Sequence, residues 1–190
     1  NDLQIKDDFK KSIQDSSDQA YLCAQLLEEG KCAFRDAAGN VVPLPDKLKR
    51  IYVLCLIADH YPALSFQARQ FLRCAPTATI SPPFIMDVFA LDAMTEMLGS
   101  PLQLLSYIDR RTGYSEKLMA SHELTILSYH LKKNLWLSDE HNMILLDDDI
   151  SADLDLAMLV RREGIPGKST PDGILTRFAA TALGRITKAI

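Results

Sequence analysis

Four groups of residues in this chain have the types and spacing to carry chemistry. The first is Asp59-His60, which closes the apolar run Ile51–Ala58 in the stretch KRIYVLCLIADHYPALS. The end of a buried strand is where α/β proteins commonly place ligand sites, so this carboxylate–imidazole pair is the pocket candidate. The plainer alternative is a polar strand exit that hydrogen-bonds the following turn. The second group, Gly164-Ile-Pro-Gly167-Lys168-Ser169-Thr170, imitates the close of a phosphate-binding loop. Such a loop needs a strand before it, an earlier glycine and a helix opening at the lysine. Here Arg162 takes the place of that glycine, the preceding pattern is helical, and Pro171 delays the next helix. The reading is an interhelix turn whose lysine is free to meet an anion.

The third group is the acidic run Asp147, Asp148, Asp149, Asp153 and Asp155. Hard cations want several oxygens converging on one point, commonly from a loop with a glycine. No glycine lies in this run, and carboxylates at a helix N-terminus are favourable without a metal. The histidines add no metal signature. His122 and His130 would sit about 12 Å apart along one helix axis, too far to share an ion, and His60 and His141 are isolated in sequence. No metal site is assigned. The fourth group is basic: Arg110, Arg111, Lys132, Lys133, Lys168, Arg177 and Arg185, with Arg161 and Arg162 beside them. These are the phosphate-contact candidates. Their alternative reading is solvated helix ends, because Lys and Arg are favoured near helix C-termini.

The totals bound what these groups can serve. The chain has 190 residues, a formal net charge of −4, 47% hydrophobic and 24% charged residues. That suits one domain with a true core, or a core plus a helical appendage, and gives no global drive toward nucleic acid. No apolar run reaches the roughly 18 residues of a membrane span, so a membrane partner is not expected. Cys23, Cys32, Cys55 and Cys74 show no CxxC spacing and read as reduced, buried thiols of a cytoplasmic protein.

The elements that must position these groups follow from periodicity and punctuation. Residues 6–29 read as a helix, with Phe9, Ile13, Ala20, Cys23 and Leu27 on one stripe and Gly30 as its stop. Cys32–Arg35 and Val41–Leu44 flank turn residues and read as a hairpin whose second arm is an edge, because of Pro43 and Pro45. Ile51–Ala58 lacks polar alternation, so it reads as a central strand covered on both faces. Beyond Pro62 the chain turns helical. Helices are expected over Ser65–Cys74 and, after a short strand at Phe84–Met86, up to Leu98. Another opens at Pro101 under a Ser100/Gln103 capping box, with Leu102, Leu105 and Ile108 apolar. Further helices are expected over Ser121–Trp136, from Ser151 to Arg162, and from Thr170-Pro171 to the end. A weak strand is expected at Met143–Leu146, and Ile174, Phe178, Ala182 and Ile186 form the last helix's stripe. The expected class is mixed α/β. It has a small sheet with a central buried strand (51–58) and a packed helix in 1–64, then a helical accessory region in 65–190.

Several phrases together carry a family resemblance. They are Asp18-Gln19-Ala20 in the first helix, the hairpin, and KRIYVLCLIADHYPALS. Later come PPFIMDVFALDAMTEMLGSPLQLLSYIDRR and ASHELTILSYHLKKNLW. This texture resembles the region downstream of the active site in bacterial PD-(D/E)xK, or restriction-endonuclease-like, nuclease-related proteins, over about two-thirds of the chain. The resemblance implies that the catalytic strands precede Asn1, that this chain holds no cofactor, and that Mg²⁺ is a candidate cofactor of the intact protein. Whether the chain itself is an enzyme is left open. Glu29-Gly30-Lys31 matches only the bare E-x-K, at a helix end interrupted by glycine, and no catalytic residue is transferred. The implied role is non-catalytic contact with substrate, partner or another copy, with nucleic acid as one candidate partner. The alternative is a helical protein-interaction or scaffold domain with no nucleic-acid role.

Overall fold

A computed structural model describes residues 7, 9–45, 47–58, 60, 64–138, 140 and 142–187. Among them helix predominates and strand is confined to two small parallel sheets, so the class is mixed α/β with helices dominant. The chain divides into two compact units, Asn1–Cys55 with Phe71–Phe84, and Leu56–Gln70 with Ile85–Ile190.

In the first unit a π-helical turn, Lys10–Gln14, runs directly into α1 (Asp15–Glu28). Gly30 follows at φ 67°, a left-handed conformation that favours glycine at a helix end. The buried stripe is Phe9, Ile13, Ser17, Tyr21 and Ala24. It therefore departs from the expected one: Cys23 is exposed and Ala20 half-buried. The cause is a polar anchor that hydrophobicity does not reveal. Buried Tyr21 donates its hydroxyl to the Ser81 carbonyl at 2.7 Å, and burial pushes that hydroxyl's pKa up to about 12. The expected hairpin shrinks to a single bridge, Arg35↔Val41. Its turn is well made, with Asp36 accepting from the Ala38 and Asn40 backbone N–H groups at 2.9 and 2.8 Å. Pro43 and Pro45 have no N–H with which to continue a ladder. Of the four free thiols only Cys55 is buried, which corrects the expectation for Cys23 and Cys74.

The apolar run supplies β1 (Leu54–Ile57), paired with β2 (Phe84–Asp87). A parallel bridge, Ile51↔Ile80, lies upstream. The expectation of a central strand covered on both faces is corrected here. Val53 and Cys55 are buried, but Leu54 is 47% and Leu56 53% exposed, and among the described residues the sheet has two strands. An unbroken apolar run carries no alternation that would say which face the fold covers.

The second unit contains the site. α2 (Leu64–Phe71) begins in it, and α3 (Val88–Met97) leaves β2 without a gap. Asp87 makes that abrupt change possible by accepting the Ala90 N–H at 2.7 Å, a side-chain N-cap. α4 (Pro101–Gly113) opens as its punctuation implies, with Ser100 Oγ accepting from the Gln103 N–H at 3.3 Å. β3 (Leu118–Met119) and β4 (Ile144–Leu145) pair in parallel, Leu118 with Ile144 and Met119 with Leu145. Between them in sequence runs α5 (Glu123–Lys133), which buries Thr125, Ile126, Leu127, Ser128, His130 and Leu131. A helix buried on several faces is a core helix.

A 3₁₀ turn, Asp148–Ser151, leads into α6 (Ala152–Glu163). Ser151 makes no N-cap bond; its hydroxyl donates to the Asp148 carbonyl at 2.9 Å instead. The expected C-terminal helix is two, α7 (Ile174–Ala179) and α8 (Ala182–Thr187). Thr181 interrupts it by accepting the Gly184 N–H on its hydroxyl at 3.1 Å. The expected stripe does not form a core: Ile174, Phe178 and Ile186 are all exposed. On α4, likewise, Leu102 and Leu105 are exposed, and Tyr107, Ile108, Arg111 and Thr112 face inward.

Gly173 fixes where α7 meets α5. A Cβ there would lie 2.1 Å from the Leu131 carbonyl oxygen and 2.8 Å from Lys132 Cα. Both obstacles are backbone, so neither can swing aside. Gly173→Ala is expected to lower stability by about 1–3 kcal/mol, the usual range for forced overpacking. Urea denaturation of the two proteins checks this.

Candidate functional site

His60 follows β1, and its side chain is 57% exposed. Nδ1 lies 3.1 Å from Asp87 Oδ2. A carboxylate can only accept, so Nδ1 carries the proton of this bond, and in the neutral ring Nε2 is the acceptor. Asp87 is buried and held at both oxygens, one by His60 and the other by the α3 N-terminus. Phe89 meets the imidazole edge-on at 6.1 Å between ring centroids. Asp59, the neighbour singled out in sequence, lies outside the described residues. The partner found is 27 positions further on, and its signal was its place immediately before a helical pattern. Together these groups border a cleft of about 80 Å³. Leu64, Ile85, Met86 and Leu124 give it apolar walls, and Ser121, His122 and Glu123 bring the start of α5 to its edge.

Behind Glu123 stands a buried polar network that sequence spacing does not disclose. Arg111 Nε donates to Glu123 Oε1 at 2.9 Å, and a second guanidinium nitrogen donates to Oε2 at 3.1 Å, a two-pronged pairing. The Tyr107 hydroxyl donates to Oε1 at 2.5 Å. Burial first, and the adjacent carboxylate second, push that hydroxyl's pKa well above its ordinary value, so it remains a donor. His130, two turns along α5, lies edge-on to Tyr107 at 4.9 Å. It is fully buried, and neither ring nitrogen has a hydrogen-bond partner among the described residues. Burial, aided by the charge of Arg110, depresses its pKa to about 3.

Four of the other basic candidates are engaged with acids of the same unit. Lys132 pairs with Asp153 at 3.1 Å and Arg161 with Glu96 at 3.6 Å. Arg162 reaches Asp92 at 2.5 Å and Glu96 at 3.3 Å, and Lys168 pairs with Asp172. Arg177 donates to the Gly173 carbonyl and Arg185 to that of Ala180. Arg110 and Lys133 have no ion pair among the described residues. In the acidic run, Asp148 accepts from Ser121 and Thr125, and the Ser121 bond leads in holding its carboxyl below the usual range. Among the described residues no three His, Cys, Asp or Glu side chains form a group able to hold a metal ion. His141 lies outside the described residues. No described helix is long and apolar enough to cross a membrane.

A second concave surface sits over α6. Leu156, Val160, Ile165 and Pro166 line a groove of about 260 Å³ rimmed by Asp153, Lys168 and Asp172. Leu156 is 57% exposed, and Leu159 and Ile165 are exposed beside it. The fold thus defines a helix-dominated α/β protein whose concave surfaces include a polar-edged cleft and an apolar groove. No protein-family model, curated protein or solved structure matches the chain.

Two outcomes follow from the buried network. Glu123→Gln leaves the Arg111 charge buried without a counter-charge, at a cost of about 3–5 kcal/mol. Arg111→Met combined with Glu123→Leu is expected to recover most of that loss, as a denaturation cycle of the single and paired variants would measure. For His130 the folded pKa lies below the unfolded one. The unfolded chain therefore takes up a proton first, and stability falls as pH drops from about 6.5 toward 3, by about 1.4 kcal/mol per pH unit. Urea midpoints across that range are expected to fall less steeply for His130→Leu than for the parent chain.

Proposed function

We propose that this chain is a non-catalytic protein-interaction module, and that the α6 groove receives an apolar segment of a protein partner, a second copy included. The single observation that carries the reading is the contrast between its charged and its apolar side chains. Arg111, Lys132, Arg161, Arg162 and Lys168 are already matched by carboxylates, whereas Leu156 and Ile165 line a preformed groove with their side chains in solvent, and Leu159 is exposed on the same helix as Leu156. Exposed apolar surface gathered in one place and rimmed by polar groups is the usual mark of a protein contact. An apolar stripe of a helix seated in such a groove is a recurring solution. The resemblance to nuclease-related proteins is compatible with this role, as a part that contacts other chains beside a catalytic core.

Leu156→Asp tests it. The side chain is exposed, so its replacement is expected to change stability by no more than about 0.5 kcal/mol. Sedimentation velocity across a concentration series is expected to show association of the parent chain that the variant loses. Salt-sensitive binding of labelled single- or double-stranded DNA or RNA, equal in parent and variant, would overturn the reading in favour of phosphate contact.

A further inference from the structure

We propose that the cleft beside His60 is a binding site for a small molecule that joins an apolar body to a hydroxyl group. His60 Nε2 accepts the ligand's O–H. This site is separate from the α6 groove and does not rest on the interaction reading.

The imidazole is prepared for that task. Asp87 accepts a hydrogen bond from Nδ1–H at 3.1 Å, which selects, in the neutral ring, the tautomer whose Nε2 accepts. Fixing one ring nitrogen with a carboxylate is how proteins commit the other to an incoming group. Asp87 cannot drift away, because its second oxygen holds the Ala90 N–H at the head of α3. A surface histidine with only a solvated role needs no such buried, doubly held support.

The ligand's body is set by the walls. Leu64, Ile85, Met86 and Leu124 favour hydrocarbon, and Phe89 offers a ring beside the imidazole. The volume of about 80 Å³ is well under the roughly 150 Å³ of an enclosed cavity that holds benzene. A short aliphatic group fits inside, and a single ring enters with one edge in solvent. The charged groups nearby do not call for an ion. Glu123 is neutralised by Arg111, and Asp87 is held by His60 and a helix N-terminus. A neutral proton donor suits such a site better than a free anion or cation would.

Phenol is the probe, with toluene as the same body lacking the hydroxyl. Binding is followed by isothermal calorimetry and by the imidazole resonances in ¹H–¹⁵N spectra of the full chain. The expected result is saturable phenol binding that perturbs the His60 resonances, with toluene clearly weaker. His60→Ala is expected to weaken phenol by about five- to tenfold, the worth of one net hydrogen bond, and to leave toluene unchanged. Asp87→Asn, which retains a capping side chain, is expected to weaken phenol with toluene again unaffected. Matching amide spectra would show that each variant is folded. Equal phenol affinity in the parent and His60→Ala chains would overturn the proposal, as would no saturation up to the solubility of phenol. A Leu156→Asp chain that binds phenol normally keeps the two proposals distinguishable.

Discussion

The Arg111–Glu123 pair is the constraint on which the second unit depends. Three side chains from two helices, Tyr107 and Arg111 of α4 and Glu123 of α5, meet where water is excluded. A buried charge is tolerable only when its partner is held in good geometry, so the pair dictates how α4 is rotated. That rotation turns Leu102 and Leu105 outward and Tyr107 and Ile108 inward. It also fixes the first turn of α5, and with it Ser121 and His122 at the edge of the cleft. The network adds orientation more than net stability, since desolvating the ions offsets most of their attraction.

Local chemistry was legible in the sequence wherever one residue type suffices. Gly30 ends a helix, Ser100 with Pro101 opens one, and the change from strand to helix near Asp87 follows the composition of Pro83–Leu98. What escaped was set by partners distant in sequence. The stripe of α1 follows Tyr21 because Ser81 lies 60 positions away to receive its hydroxyl. The face of α4 follows Glu123. His60 was singled out for its place at the end of an apolar run, but its carboxylate proved to be Asp87. Nothing about Asp87 in sequence distinguishes a helix cap from a cap that also orients a histidine.

The basic residues teach a related lesson. As a sequence, Arg110, Arg111, Lys132, Lys133, Arg161 and Arg162 look like reserves of positive charge. In the fold, Arg111 is drawn into the core and Arg161 joins α6 to α3 through Glu96. Pairing within the unit converts most of that reserve into links between helices. Each exposed link is individually weak, and together they tie α3 and α5 to α6.

The two-stranded sheet of β1 and β2 has a consequence for how the chain behaves in company. Among the described residues it contains no third strand, and β1 exposes Leu54 and Leu56. Unpaired amides next to exposed, branched hydrocarbon form a template onto which another extended chain can be added. Ile51–Ala58 thus carries a second exposed apolar surface, at a sheet edge and distinct from the α6 groove.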